Sequence, residues 1–103
     1  MDKEALLADR VTQRTAEVEI EGVGTITIRS LSRHEMIEAG RRFEGDTLGW
    51  ERYTLSRAMV DPQMGEHDVA AWQKASPPGE INVVAMAVNK LSGIGQGADK
   101  SSV

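Results

Sequence analysis

The fold turns on one stretch, Ala16-Glu17-Val18-Glu19-Ile20-Glu21-Gly22-Val23-Gly24-Thr25-Ile26-Thr27-Ile28-Arg29. Val18 and Ile20 alternate with Glu17, Glu19 and Glu21, while Ile26 and Ile28 alternate with Thr25, Thr27 and Arg29. Successive side chains of a strand point to opposite faces, so a period of two on both sides of a glycine pair reads as a β-hairpin over 16–29. Gly22 and Gly24 can take the positive φ that a tight turn needs. Val18, Ile20, Ile26 and Ile28 then share one face, with Glu, Thr and Arg on the other. A two-stranded hairpin alone is marginal in water, so this apolar face needs cover, either from this chain's own helices or from a partner.

Beyond the hairpin, Ser32-Arg33-His34-Glu35 matches a capping box, with Leu31 and Met36 in the staple positions on either side. It predicts a helix over 33–44, with Met36, Ile37, Gly40 and Phe43 along its apolar stripe and a stop near Gly45. Asp46 is a good N-cap for a second helix over 47–60, carrying Leu48, Leu55 and Met59. Val60-Asp61-Pro62 ends it, because a residue before proline avoids the α region. A third helix over 66–75 places Val69 and Trp72 on one face. Ser76-Pro77-Pro78-Gly79 breaks it and opens a fourth over 79–92, with Ser76 as cap and proline in the first turn. Ile81, Val84, Ala85, Val88 and Leu91 line that last helix, and Gly93 stops it. Residues 94–103 read as a flexible tail. On the other side of the hairpin, residues 1–15 form a polar lead-in. Its apolar patch, Ala5-Leu6-Leu7-Ala8, reads either as a frayed helical turn or as a docking segment. The expectation is an α+β, mainly α chain: a single domain over 16–93, with an N-terminal β-hairpin, about four short amphipathic helices and a flexible C-terminal tail.

Composition agrees with this. The chain has 103 residues, the size of one domain, and is 40% hydrophobic with only four aromatics, Phe43, Trp50, Tyr53 and Trp72. A core of aliphatic side chains favours helix packing over a β-sandwich. The absence of cysteine excludes disulfides, thiol catalysis and thiolate metal sites, and fits a reducing cytoplasm. The charged start Met1-Asp2-Lys3-Glu4 and the lack of a long apolar run predict neither a secretory signal nor a membrane partner. Net charge is −4, and the five arginines between Arg33 and Arg57 share their segment with five acids. That pattern reads as a solvated, self-compensated surface, so no nucleic-acid partner is expected.

No constellation points to catalysis. His34 and His67 fall in the first turns of predicted helices, where exposure is usual. His34 and Glu38 are four apart, but two ligands do not make a metal site. Glu35 and Glu38 are at helical spacing, yet Glu35 already has a capping role and acid–base work needs a pocket to separate their pKa values. Gly93-Ile94-Gly95-Gln96-Gly97 follows a helix, whereas phosphate loops open one. No elbow motif sets up a Ser–His–acid array. Catalytic, cofactor and metal residues are therefore expected to be none, and the chain is expected not to be an enzyme. The candidate protein-binding residues are Leu6, Leu7, Val18, Ile20, Ile26, Ile28, Trp50 and Met59. Trp50 lies off its helix's stripe and suits an interface anchor, whereas Trp72 fits the core beside Val69. Met36, Met59, Met64 and Met86 could adapt a surface to several partner segments or fill gaps in the core.

The order of these pieces resembles one family. The hairpin 16–29 is followed by Leu31-Ser32-Arg33-His34-Glu35, then Ala58-Met59-Val60-Asp61-Pro62. Asp68-Val69-Ala70-Ala71-Trp72, Pro78-Gly79-Glu80-Ile81 and Asn89-Lys90-Leu91-Ser92-Gly93 complete the set. In order and spacing it is similar to the tail assembly chaperones of long-tailed bacteriophages and prophages, of the type found in phages of actinobacteria, over about residues 4–97. The resemblance implies a non-enzymatic protein of the host bacterial cytoplasm. Such a protein binds the tape measure protein, keeps it soluble during tail tube assembly and is absent from the mature virion. It also implies a longer form made by programmed ribosomal frameshifting, to which the Gly-rich tail would be a linker, and it brings that form and the tail tube protein in as partners. The ending Lys100-Ser101-Ser102-Val103 departs from the family's pattern. A homo-oligomer formed through the hairpin face or the Leu6-Leu7 patch belongs to the same picture. Two other readings stand beside it: a small structural virion or connector protein, and a regulatory DNA-binding protein acting through Arg41, Arg42 and Arg52.

Overall fold

A computed structural model of the chain describes residues 1–94. In chain order its elements are α1 (Lys3–Leu7), β1 (Thr15–Ile20), β2 (Gly24–Arg29), α2 (Arg33–Arg42), α3 (Thr47–Ala58), β3 (Met59–Asp61), α4 (Glu66–Ala75) and α5 (Pro78–Leu91). The tail expected over 94–103 lies outside the described residues from position 95 onward.

The hairpin forms as its alternation requires. β1 and β2 pair antiparallel with Val18 opposite Ile26 and Ala16 opposite Ile28. Gly22 (φ +80°) and Gly24 (φ +139°) take the positive φ of the turn, which the Val23 N–H closes on the Ile20 carbonyl at 3.0 Å. Ile20, Ile26 and Ile28 are buried and Val18 is half-buried. The residues that cover them belong to the same chain: Leu55 and Ala58 of α3, Met59 of β3, Val69 of α4, and Ile81, Val84 and Val88 of α5. Fully covering one such aliphatic side chain is worth about 1.5–3 kcal/mol, enough to fix the hairpin's register.

The hairpin gains a third strand that the sequence reading placed inside a helix. α3 stops at Ala58, and Met59–Asp61 turns extended to pair antiparallel with β2, so the sheet order is β1-β2-β3. Asp61 precedes a cis-proline, Pro62, and the extended backbone that a pre-proline residue prefers reaches back through Val60 to Met59. The predicted helix 47–60 is therefore corrected to Thr47–Ala58. The lead-in resolves into a short helix, α1, capped by the Asp2 carboxylate on the Glu4 amide.

Two further details differ from the sequence expectation. In α2 the buried position is Ala39, while Ile37 is half out in solvent, so the core face is rotated from the predicted stripe. Leu48 is likewise exposed, and buried Gly49 sits inward instead. A Cβ at Gly49 would collide with the Phe43 ring and the Asp46 carboxylate, which explains why the first turn of α3 turns that side toward α2. Ser76 does not cap α5. Its hydroxyl donates back to the Trp72 carbonyl at 2.7 Å, and α5 starts at Pro78 without a side-chain cap.

The hairpin's exit is locked by the expected capping box. The Glu35 amide donates to Ser32 Oγ and the Ser32 amide to Glu35 Oε1, both at 3.0 Å. The Arg29 guanidinium adds a two-pronged contact to the same carboxylate, at 3.1 and 2.7 Å. Partial burial pushes the Glu35 carboxyl up, but the Arg29 and Ser32 hydrogen bonds outweigh it and hold it below its ordinary value. A second tie crosses the chain: the Leu31 amide donates to Ser92 Oγ at 2.8 Å, joining the end of β2 to the end of α5. α5 therefore runs back along the hairpin, from the turn, where Pro77, Gly79 and Glu80 face Glu19–Gly22, to the open end.

Candidate functional site

An open hollow of about 400 Å³ lies where the hairpin turn, the exit of β3 and the α4–α5 corner meet. The hairpin supplies Ile20, Val23 and Ile26, and the segment after β3 supplies Pro62 and Met64. Trp72 of α4 forms the opposite wall, and Pro77 closes the corner. Each is there for a local reason. Val23 is thrust outward by the turn and is 74% exposed. Trp72 lies one helical turn from fully buried Val69, so its ring edges the core without entering it. Its indole N–H donates to Glu80 Oε2 at 2.7 Å, which fixes the ring as a wall.

The hollow continues into a neighbouring one of about 650 Å³ that shares Ile20, Pro77 and Glu80 and adds Glu19, Glu21 and exposed Val83. The pair thus forms an apolar groove with three glutamates on its rim. Among the described residues, neither half is lined by a lysine or arginine.

The sequence-selected residues divide sharply around this groove. Ile20, Ile26 and Met59 contribute to its floor but are themselves at least 92% covered by this chain. Ile28 is fully buried and Val18 half-buried, both away from the lining. The hairpin's inner face is therefore core, with only its turn end reaching the groove. Trp50 is half-buried on α3 and does not line the groove. Leu6 and Leu7 are exposed, at 52% and 72%, on a helix that buries nothing. Val23, Pro62, Pro77 and Glu80 were missed, because loops and corners bring them together and no periodicity marks them. Met64 and Trp72 carried a signal, as an adaptable side chain and a bulky aromatic, but their meeting did not.

Other chemistry is sparse. His34 and His67 are exposed, and His67 Nε2 lies 3.5 Å from the Asp68 carboxylate beside it. Among the described residues no three His, Asp or Glu side chains are placed to share a metal ion. No helix among them is long and apolar enough to cross a membrane. The strongest cation–aromatic cluster is structural: Arg42 and Arg57 lie 5.1 and 4.9 Å from the ring centre of buried Tyr53. Compared with protein-family models, curated proteins and solved structures, the chain matches none.

Proposed function

We propose that this chain is a tail assembly chaperone of the bacteriophage type its motif order resembles. It acts in the host bacterial cytoplasm, holds the tape measure protein soluble while the tail tube forms, and is left out of the finished virion. The observation that supports this best is the groove walled by Val23, Met64 and Trp72 and rimmed by Glu19, Glu21 and Glu80. An amphipathic helix binds by laying its apolar stripe in such a hollow, and a methionine wall adjusts to successive stripes that differ in detail. The acidic rim selects helices flanked by lysine or arginine and speeds their capture. Open sides allow release, which a chaperone needs and a permanent virion component does not.

The test is co-expression with the tape measure protein encoded by the same phage or prophage. Wild-type chain is expected to keep it in the soluble fraction, and Met64→Glu, folded by circular dichroism, to lose that effect. Equal solubility of the client with and without the chain would overturn the reading. So would finding the chain at structural stoichiometry in purified virions, which would favour the connector alternative.

A further inference from the structure

We infer that the outer edge of β1 takes up a fourth strand from another protein, an extended segment that alternates lysine or arginine with small apolar residues. β1 is an open end of the sheet, whose order is β1-β2-β3. The Ser30 amide donates to the Arg14 carbonyl at 2.9 Å and the Val23 amide to the Ile20 carbonyl at 3.0 Å. Alternate residues of a strand turn their backbone groups to the same side, so Ala16 and Val18 face β2 together with Arg14 and Ile20. Thr15, Glu17 and Glu19 turn theirs outward, and among the described residues no hydrogen bond reaches those groups. The strand, Thr-Ala-Glu-Val-Glu-Ile, has no proline, lysine or bulge to block an addition.

The two faces of the sheet say what the added strand must carry. On the solvent face stand Glu17 and Glu19, both exposed, with Glu21 just beyond. Opposite charges on neighbouring strands stabilise a ladder and like charges destabilise it, so cations belong beside these glutamates. The β1 strand of a second copy, with its own glutamates, is the wrong occupant. On the other face the helix layer extends past the sheet. α5 packs along β1, and the hollow of about 650 Å³ opens between Glu19–Gly22 and the Gly79, Glu80 and Val83 of that helix. Val83 is 55% exposed, and half-buried Ala87 follows one helical turn on. The other flank of α5, with Ile81 and Asn82, is turned to Glu51 of α3 and Gln73 of α4. A strand paired to β1 would lay alternate small apolar side chains on Val83 and Ala87 and set the intervening cations beside Glu17 and Glu19. Main-chain hydrogen bonds give such a contact its affinity, and the alternate side chains give it specificity.

This site meets the helix groove at Glu19 and Ile20 but runs along β1, away from Met64 and Trp72, so it stands or falls separately from the chaperone reading. The test titrates the full chain with a seven-residue acetylated and amidated peptide that alternates lysine and valine. Saturable binding is expected, with new protection from hydrogen exchange at the Thr15, Glu17 and Glu19 amides. Glu17→Pro removes one outward N–H while its neighbours keep their bonds to β2, and should weaken binding about tenfold. Glu17→Gln, which removes only the charge, should weaken it about twofold. Glu17→Lys combined with Glu19→Lys, on an exposed face, should reverse the preference toward a peptide alternating glutamate and valine. Met64→Glu should bind the lysine–valine peptide as the wild type does. No saturable binding up to millimolar peptide, or binding without protection of those three amides, would overturn the inference. So would equal binding of a peptide with the same residues in two blocks, or loss of binding in Met64→Glu.

Discussion

The inner face of the hairpin and the N-terminal arm carry the same kind of sequence signal and meet opposite fates. Val18, Ile20, Ile26 and Ile28 make a greasy strip, as do Leu6 and Leu7, and both strips demand cover. The hairpin finds it within the chain, because α5 runs back along β1 and β2 and Met59 arrives as a third strand. The arm finds none, because Ser30 and the Asp9–Thr12 turn hold its root at the wrong end of the sheet. An apolar pattern states that a surface must be buried. Which atoms bury it depends on contacts far apart in sequence, and there the two strips part.

The contrast is sharpest in stability. Ile28→Ala empties a site with no exposed surface and is expected to cost about 2–5 kcal/mol, a large share of the roughly 5–15 kcal/mol that holds a domain together. Urea unfolding measures it. A loss under 1 kcal/mol would mean that the hairpin face is not core after all. Glu35→Gln, which removes the charge pairing with Arg29 but keeps a side-chain oxygen for the Ser32 amide at the hairpin's exit, should cost about 1 kcal/mol.

The same variant tests a pH dependence. Glu35 is held below its ordinary value near 4.5, so the folded state prefers its ionised form. Its contribution is complete above that ordinary value and is lost as pH falls through the lowered one. Wild-type stability should therefore decline on acidification below about pH 4.5, and that limb of the melting curve should be shallower in Glu35→Gln. At the small end, Leu6→Ala with Leu7→Ala should change monomer stability by no more than about 0.5 kcal/mol, since neither side chain is covered. A large loss in dilute solution would show that the arm packs on its own chain and erase the contrast.

Local rules made much of the fold legible. The alternation around Gly22 and Gly24, the Ser32–Glu35 box, the Asp46 cap and the Gly93 stop each depend on residues within a few positions of one another. β3 was not legible, because three residues continuing a helical pattern become a strand only through pairing with Thr27 and Ile28. Its one local sign was the β-branched Val60 ahead of the Asp61–Pro62 bond. The rotation of α2 that exposes Ile37 and buries Ala39 was hidden too, since both positions fit an apolar stripe and only the neighbouring helix decides between them. The groove was least legible. Val23 sits at a turn, Pro62 and Met64 in a connection, Pro77 at a corner, and no pattern in the chain announces that these points converge.

The Leu31–Ser92 hydrogen bond that ties β2 to the last turn of α5 also has a practical use. It places the far end of α5 beside the root of the arm and leaves the groove at the other pole of the molecule. A chain immobilised through an attachment beyond Ile94 would present that groove outward from a sensor surface, with its own arm on the side of the support. Such a chip would read the capture of amphipathic client helices by the exposed groove directly.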